Sequence, residues 1–434
     1  MNMHSSTPIE KPASLWAATA VDGCVHPKLS EDIDADVTVI GAGFTGLRAA
    51  LKLVEAGLSV VVLDAGDVGY GASGRTGGQV NPMLPFNTPD QLRKMLGTTY
   101  FERLTQTSLQ SADELFKVIE DHQIDCQARQ NGWLRVLHNG RALQKAKAGV
   151  QEWNQFGANM EIIGRDESEN RSGTKAYTAG VITPKGGAVQ PMSLAIGLAN
   201  AAKQRGCTIH GSSGVTSLNK ADGKWAAKTL HGSVKSDWVI VATNGYSDDL
   251  IPKLSKSIIP ITPIQIATDP LPESVIGNVL SEGHTISDSR RIIMYSRREP
   301  DNRMVYGGHG NILENGKIRG VDWLIKDAVR VFPQLRGVKW TYQWGGRIAI
   351  TEDHLPHLHE PKSGLLVGLG YNGRGVAMSN VMGRVMAERV LGAAPDQLPF
   401  PTTPVKKVPM RAIQMGGMGT AIWFMRLLDY LETR

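Results

Sequence analysis

The sequence predicts an α/β protein in which a parallel sheet is interleaved with a second, α+β domain built on an antiparallel sheet. Buried-strand patterns followed by helical patterns occur near both ends of the chain, which is typical of parallel sheets. Short alternating runs occupy residues 258–344 and favour antiparallel strands. A chain of 434 residues is long enough for two domains.

Residues 36–64 contain a strand, a glycine turn, a helix and a second strand in close succession. The turn has GxGxxG spacing: Gly41 allows the tight turn, Gly43 admits a diphosphate, and Gly46 permits close helix packing. The helix N-terminus offers free N–H groups and positive potential to that diphosphate. Asp64 ends the second strand, where a carboxylate accepts hydrogen bonds from a ribose. This unit predicts Rossmann-like dinucleotide binding.

A glycine-rich loop follows at residues 69–79, GYGASGRTGGQ. It suits a flexible surface loop, but its position directly after the ribose-binding strand favours a loop wrapped around the cofactor. Residues 237–245 are a buried strand that ends in a small-residue turn. Residues 364–376 are a strand, a glycine turn and a helix start.

These motifs, in this order, resemble the D-amino-acid-oxidase-like (DAO) family of FAD-dependent oxidoreductases. The segment Leu15–Thr19, the glycine loop and the C-terminal tail look most like its gamma-glutamylputrescine oxidase branch. Two positions depart from the pattern: Asp64 stands where the family usually has Glu, and Arg374 stands where the branch usually has His. The resemblance implies a Rossmann-like FAD-binding domain of the glutathione-reductase type.

The resemblance also implies which residues contact the FAD. These are Gly41, Gly43, Phe44, Thr45, Gly46, Asp64, Ala65, Gly71, Ala72, Ser73, Arg75, Thr76, Gly77, Gly78, Gln79, Val215, Ala242, Thr243, Gly245, Gly346, Asn372, Gly373, Arg374, Gly375 and Val376. Covalent attachment in the family uses a Cys near the C-terminal motif or a His near the diphosphate loop. No Cys follows Cys207 and no His lies between Asp64 and Gln79, so non-covalent FAD is expected.

Substrate contacts are expected from the antiparallel sheet and from the turns that lead back to the cofactor. Candidates are Trp344, Arg347, Tyr371, Arg374, Tyr295 and Tyr306, with Arg297 and Arg303 as further pocket-lining residues. Arg347 and Arg374 are rival anchors for a substrate carboxylate, because a guanidinium binds a carboxylate in bidentate geometry. A structural ion pair is the alternative role for each. No catalytic acid–base residue is assigned.

The implied reaction is oxidation of the C–N bond of an amine to an imine, which water then hydrolyses. The substrate class is gamma-glutamylputrescine-like or another polyamine-derived amine, with O₂ as acceptor and H₂O₂ as product. Alternatives are oxidation of a secondary amino acid such as pipecolate, proline or sarcosine, and a quinone-linked dehydrogenase. A non-catalytic flavoprotein or NAD-binding module is a third hypothesis.

The domain boundaries follow from these segments. The N-terminal arm is expected at 1–30, the FAD-binding domain at 31–90, 176–257 and 345–395, the substrate domain at 91–175 and 258–344, and the C-terminal tail at 396–434. Helices are predicted at 90–125, 141–157, 192–205, 321–332 and 415–428.

Composition limits the remaining function classes. The net charge is +6 with no nucleic-acid motif, so a solvated surface and a small-molecule substrate are expected. Three scattered cysteines indicate neither a disulfide framework nor a zinc site and fit a cytoplasmic protein. The histidines at 354, 357 and 359 are expected to be structural, and no metal is assigned. The basic, apolar tail suggests peripheral contact with the inner face of a membrane or self-association.

Overall fold

A computed structural model describes residues 13–312 and 318–432. Residues 1–12 of the expected N-terminal arm, 313–317 of the substrate domain and the last two residues of the tail lie outside the described ranges. The helices are α1 (Leu15–Thr19), α2 (Phe44–Glu55), α3 (Pro89–Asp121), α4 (Gly140–Asn154), α5 (Arg165–Ser172), α6 (Pro191–Gln204), α7 (Glu273–Ile276), α8 (Val321–Val331), α9 (Gly375–Val390) and α10 (Arg411–Glu432).

The strands of the described residues form two eight-stranded sheets and three short antiparallel pairs. They are β1 (Asp32–Ile40), β2 (Val60–Leu63), β3 (Gln79–Val80), β4 (Trp133–Leu137), β5 (Glu161–Ile163), β6 (Ala179–Thr183), β7 (Gly187–Ala188), β8 (Thr208–His210), β9 (Ser217–Ala221), β10 (Lys224–Lys228), β11 (Ser233–Val241), β12 (Ile259–Ile261), β13 (Pro263–Thr268), β14 (Thr285–Asp288), β15 (Tyr295–Arg298), β16 (Met304–His309), β17 (Asn311–Ile312), β18 (Ile318–Arg319), β19 (Trp340–Gly345), β20 (Ile348–Ile350), β21 (His357–Lys362) and β22 (Leu365–Leu369).

The first sheet has the order β21–β22–β11–β1–β2–β8, with the hairpin β9–β10 joined through β11. Strands β22, β11, β1, β2 and β8 pair in parallel. Helices α2, α6 and α9 pack together with β1 and β2 in the largest apolar core of the described chain. Strand β2 consists of apolar side chains only, and every one of its residues is buried, as is typical of a strand inside a parallel sheet. The predicted Rossmann-like sheet is confirmed.

The second sheet has the order β19–β13–β16–β15–β14–β4–β6–β5. Its pairs are antiparallel except β14–β4, which is parallel. One face packs against α8 in a separate core that contains Leu134, Ile266 and Ile286. The antiparallel substrate-domain sheet is thus confirmed as part of the fold class.

One expected boundary differs from the structure. Residues 179–183 were assigned to the FAD-binding domain, but they form β6, which pairs with β4 and β5 of the second sheet. The turn at residues 184–185 marks the return to the first domain better than the expected position 176. Helix α5 was not predicted, because it is short and strongly polar. None of the described helices combines the length and apolar character needed to cross a bilayer.

Candidate active site

Three turns meet at the carboxyl edge of the first sheet, where the parallel strands β1, β11 and β22 end. The N–H of Ala242, after β11, donates to the carbonyl of Ile40 at the end of β1, at 2.8 Å. The N–H of Gly370, after β22, donates to Asn244 Oδ1 at 2.9 Å. Ligands of open parallel sheets bind at this edge. The structure therefore brings together the turns at 41–46, 242–245 and 370–375.

The glycine turn leads directly into helix α2. Gly41 has a φ of 110°, which favours glycine. A Cβ on Gly46 would lie 2.0 Å from the carbonyl oxygen of Gly41, so only glycine permits this contact. Gly43 caps α2 without a side-chain hydrogen bond, and the Phe44 N–H donates to Ser73 Oγ at 2.9 Å. Ser73 thus ties the glycine loop to the positive end of α2.

Asp64 is fixed beside this turn by two backbone donors. Its carboxylate accepts from the Ala42 N–H at 2.7 Å and from the Gly66 N–H at 2.8 Å. Burial raises the pKa of Asp64 to about 6, although both hydrogen bonds oppose that shift. The carboxylate keeps further lone pairs for a ribose.

The segment after β8 lies against the residues that follow Asp64. The N–H of Ser213 donates to the Asp64 carbonyl at 2.7 Å, and Gly214 faces Ala65. Val215 follows directly and packs against the neighbouring cores. The predicted adenosine residues Asp64, Ala65 and Val215 are therefore neighbours in space.

Side chains from three distant elements hold the carbonyl groups of the glycine loop. Trp16 Nε1 of α1 donates to the Thr76 carbonyl at 2.7 Å. Gln265 Nε2 of β13 and Trp344 Nε1 of β19 donate to the Arg75 carbonyl at 2.7 and 3.1 Å. The loop is therefore part of the packed structure and not a flexible surface loop.

Arg297 also holds this loop. Its Nη1 donates to the carbonyls of Gly78 and Val189 at 2.9 and 2.8 Å, and Glu299 pairs with the rest of its guanidinium. The expectation that Arg297 lines a substrate pocket is wrong, because its donors are used by backbone and by Glu299. It positions the loop instead.

The third turn is fixed by its own side chains. Asn372, with a φ of 50°, accepts from the Thr351 N–H at 2.9 Å through Oδ1. The hydroxyls of Tyr371 and Thr45 are 2.6 Å apart, which links this turn to α2. Tyr371 therefore joins the two turns, and the substrate contact expected of it stays a prediction. Gly373 has a φ of 88°, and a Cβ there would meet nothing within 4 Å.

One face of the second sheet carries a row of residues in direct cross-strand register. The row runs Trp344, Gln265, Gly307, Tyr295, Ser287, Arg135 and Val181. Tyr295 packs over Gly307, and a Cβ on Gly77 of the loop would lie 2.9 Å from its ring. This row therefore faces the glycine loop, and the substrate contacts expected of Tyr295 and Trp344 stay predictions.

Tyr306 lies on the opposite face of the sheet. It is 1 % exposed in the core beneath α8, and its hydroxyl donates to Asp327 Oδ2 at 2.7 Å. Arg290 completes this buried cluster with two hydrogen bonds to Asp327. The expected substrate contact by Tyr306 is thus corrected, since alternation along β16 turns its side chain away from the loop. Arg303 pairs with Asp301 near Tyr342 and also lies outside the row.

The two rival arginines occupy different environments. Arg347 is exposed, and its guanidinium carbon lies 5.9 Å from the centre of the Tyr246 ring. The guanidinium carbon of Arg374, at the N-cap of α9, lies 4.4 Å from the centre of the Trp133 ring. Burial, and secondarily the charge of Arg135, lower the pKa of Arg374 to about 9. The structure therefore places Arg374 against Trp133 of β4 and Arg347 beside Tyr246, and the carboxylate role of either arginine stays a prediction.

Sequence reasoning missed three site residues. They are Trp16, which lies in the segment Leu15–Thr19 used for the family resemblance, Gln265, which lies in the alternating region 258–344, and Arg135, which belongs to none of the motifs named above. The signal for Arg135 was its position at i+2 from Trp133, which puts both side chains on one face. No local pattern identifies Trp16 or Gln265, because both act on a loop distant in sequence.

The histidine cluster has structural partners. His357 Nε2 lies 3.0 Å from the Asp353 carboxylate, and His359 Nδ1 donates to the Thr403 carbonyl at 2.7 Å. Burial lowers the pKa of His359 to about 4. Among the described residues, no group of three or more His, Cys, Asp or Glu side chains could hold a metal ion.

The residues at the carboxyl edge fit an FAD. Two helices, α2 and α9, start there with N-caps that make no side-chain hydrogen bond, so their positive ends are available to anionic groups. The missing Cβ of Gly373 leaves open space beside the second of them. Gly41, Gly43, Asp64 and Ser73 would hold the ADP half, and the loop at 75–79 and the turn at 372–376 the flavin half.

Comparison with known proteins agrees with this fit. The family described as FAD dependent oxidoreductase (DAO) matches residues 36–389. Gamma-glutamylputrescine oxidoreductase of Escherichia coli is 31% identical over 428 residues, which cover 96% of this chain and 98% of that protein. A protein of Haemophilus influenzae described as "Probable oxidoreductase OrdL" is 32% identical over 372 residues, which cover 84% of this chain and 85% of that protein.

A solved structure shows the same fold. The crystal structure of glycine oxidase from Geobacillus kaustophilus superposes with a TM-score of 0.72 at 21% sequence identity, covering 85% of this chain and 98% of that one. The expected family, fold class and FAD cofactor are therefore confirmed, while the individual contacts to FAD stay predictions. The chain belongs to the DAO family of FAD-dependent oxidoreductases, enzymes that act on C–N bonds of amines and amino acids.

Proposed function

We propose that this enzyme oxidises a polyamine-derived amine of the gamma-glutamylputrescine type, with O₂ as electron acceptor. The observation that carries the proposal is the match to gamma-glutamylputrescine oxidoreductase along nearly the full length of both chains. In the net reaction, a CH–NH₂ group loses a hydride and a proton to become an imine. Water converts the imine to an aldehyde and ammonia, and O₂ takes up two electrons and two protons to become H₂O₂.

The side chains along the second sheet suit this chemistry. Bound FAD supplies the hydride acceptor. The row contains aromatic, amide, hydroxyl and guanidinium groups but no carboxylate or imidazole, so it offers no strong base. Burial raises the pKa of Tyr295, which keeps its hydroxyl protonated. The substrate amine must therefore react in its neutral form, and the row serves to orient it.

The orienting groups are themselves fixed. Trp344 and Gln265 are held by the Arg75 carbonyl. Tyr295 is packed against Gly307 and Gly77. A rigid wall of this kind lowers the entropic cost of aligning the substrate C–H bond. It is also largely buried, which excludes water from the reacting carbon.

The test is anaerobic reduction of the bound flavin by a panel of amines. The loss of absorbance at the band of oxidised flavin measures the rate of reduction. The panel holds gamma-glutamylputrescine, putrescine, spermidine, sarcosine, proline and pipecolate. We expect the fastest bleaching with gamma-glutamylputrescine. Faster reduction by proline, pipecolate or sarcosine would instead assign a secondary amino acid oxidase, and no reduction by any amine would refute the proposal.

A second candidate is a dehydrogenase that passes electrons to a quinone or a carrier protein at a membrane surface. The observation that favours it is the set of exposed apolar side chains on α10, among them Ile413, Trp423 and Phe424. Peroxide yield separates the candidates. One H₂O₂ per amine oxidised in air is expected for the oxidase, whereas turnover that requires an added quinone would favour the dehydrogenase.

A further inference from the structure

We propose that Arg135 and Arg374 form a two-guanidinium subsite that binds the carboxylate of the substrate. This inference rests on the proposed function, since it concerns the substrate of the same site. It adds Arg135 to the specificity-determining residues and predicts that the preferred amine carries a carboxylate. Trp133 is the structural element that joins the two arginines.

The first observation is the position of Arg374. Its backbone forms the N-cap of α9, and its guanidinium carbon lies 4.4 Å from the centre of the Trp133 ring. Trp133 Nε1 donates to Ser287 Oγ at 2.9 Å, which fixes the ring. Stacking on a fixed aromatic ring orients a guanidinium and leaves its edge donors free for an anion.

The second observation is the direction of Arg135. Along β4, Leu134 and Val136 enter the core beneath α8, so Trp133 and Arg135 project from the other face. Arg135 pairs in register with Ser287, and Ser287 pairs with Tyr295. The Arg135 guanidinium therefore belongs to the row that faces the glycine loop.

The third observation is the lack of a counter-charge. Arg135 Nε and Arg374 Nε are both buried and have no hydrogen-bond partner within the described ranges. The described residues also give neither guanidinium a salt bridge to a carboxylate. Other buried arginines differ: Arg290 pairs with Asp327, and Arg297 pairs with Glu299.

Two neighbouring cations without an acid are unfavourable unless a ligand neutralises them. Burial lowers the pKa of both groups, and the charge of Arg135 lowers that of Arg374 further. A carboxylate between the two arginines would supply the negative charge that they lack and accept hydrogen bonds from both guanidinium groups. Amino acids and gamma-glutamylated amines share this group, so the experiment includes both.

The experiment measures binding apart from turnover. Isothermal titration of the FAD-loaded protein compares gamma-glutamylbutylamide, which keeps the carboxylate but has no oxidisable terminal amine, with its methyl ester. The proteins are wild type, Arg135→Gln, Arg135→Lys and the control Arg141→Gln, which removes an exposed charge from α4. We expect Arg135→Gln to weaken binding of the acid about 10- to 100-fold and leave binding of the ester unchanged.

Kinetics provide a second readout. Arg135→Gln should raise KM for gamma-glutamylputrescine by a similar factor with kcat within about twofold, and should change KM for putrescine, which has no carboxylate, by a clearly smaller factor. A similar loss for proline or pipecolate would assign the subsite to an amino-acid carboxylate. Arg135→Lys should recover part of the affinity, and Arg141→Gln should match wild type.

Several results would overturn the subsite. One is equal binding of acid and ester by the wild-type protein, and another is an equal loss for both ligands in Arg135→Gln. If Arg135→Gln does not retain FAD, the titration of Arg135→Lys is the test. Lysine keeps the positive charge but lacks the planar pair of N–H donors, so unchanged binding of the acid would contradict bidentate binding by Arg135. Failure of every amine to reduce the flavin would refute the proposed function alone, since the titrations do not depend on turnover.

Discussion

Asp64 combines two tasks at the end of β2. Its carboxylate holds the backbone of the glycine turn and of the following turn through Ala42 and Gly66. It is also the residue expected to accept hydrogen bonds from the ribose of FAD. Because burial raises its pKa to about 6, its charge changes within an accessible pH range.

We predict that the affinity of the apoprotein for FAD rises with pH through about 6. The ionised carboxylate accepts hydrogen bonds from both the backbone and the ribose, whereas the protonated form loses part of that capacity. Asp64→Asn should lack this pH step and bind FAD roughly tenfold more weakly at pH 8. Flavin fluorescence quenching at pH 5, 6, 7 and 8 measures both effects.

The control for this prediction is Asp34→Asn, which changes an exposed acid on β1. It should keep the pH step of the wild type. A step that persists in Asp64→Asn would show that another group controls FAD affinity.

At the scale of elements, the close crossing of β1 and α2 sets the position of the glycine turn at residues 41–46. Gly46 lies in the first turn of α2, directly against the Gly41 carbonyl. Helix α9 also packs on α2, and a Cβ on Gly383 of α9 would lie 2.4 Å from the Thr45 carbonyl oxygen of α2. The two helices whose N-termini face the cofactor are thus placed by backbone contacts that only glycine allows.

We predict that Gly46→Ala lowers the free energy of unfolding by ~1–3 kcal/mol and reduces the amount of FAD bound per protein molecule. The added methyl group would force α2 away from β1. Urea denaturation of the apoprotein and the flavin-to-protein absorbance ratio measure these effects. Gly149→Ala on α4 is the matched control, because its Cβ would meet nothing within 4 Å and should raise stability by up to ~1 kcal/mol. Equal behaviour of the two variants would contradict the packing argument.

Helix α10 is attached to the rest of the protein at several points. Arg411 Nε donates to the Ile258 carbonyl, Arg426 Nη2 donates to the His309 carbonyl, and the buried acid Asp429 lies near the end of the helix. Asp429, which is 5 % exposed, accepts from the backbone N–H groups of Arg291 and Ile292 at 3.1 and 3.0 Å. Arg291 also pairs with Glu432. Much of the remaining helix surface is exposed.

We predict that Asp429→Ala loosens α10 without loss of FAD. The substitution leaves two backbone donors unpaired, at a cost of about 1–3 kcal/mol. Limited trypsin digestion should cut faster after Lys406 and Lys407, while the flavin spectrum stays that of the wild type. Glu102→Ala on α3 should show the wild-type cleavage rate. Unchanged cleavage in Asp429→Ala would mean that other contacts hold the helix.

On the scale of the whole molecule, the glycine loop is where the two sheets meet. Its carbonyls are held by α1, β13, β15 and β19, while Ser73 contacts the start of α2. A ligand that binds this loop therefore stabilises both domains and their relative position.

We predict that the FAD is held by non-covalent contacts only. Acid precipitation of the yellow protein should release all flavin into the supernatant, and apoprotein should regain its higher melting temperature as FAD is added. The gain corresponds to ~4 kcal/mol at a thousandfold excess over Kd. Yellow colour in the precipitate would contradict the prediction.

Local sequence was sufficient for the cofactor half of the protein. The spacing of Gly41, Gly43 and Gly46 and the apolar run before Asp64 specify a strand, turn and helix through backbone constraints that act within a few residues. The same reasoning located the turns at 242–245 and 372–376. Family and cofactor followed from the resemblance of these local motifs, in their order along the chain, to the DAO family.

The substrate half was decided by tertiary structure. Alternation along β16 could not reveal which face meets the cofactor, and so Tyr306 was placed on the wrong side. Segment 179–183 joined the second sheet because β4 and β5 offered pairing partners distant in sequence. Arg135 and Arg374 became neighbours only when β4 and the start of α9 met. Long-range strand pairing and charge proximity depend on the whole fold, and no local pattern encodes them.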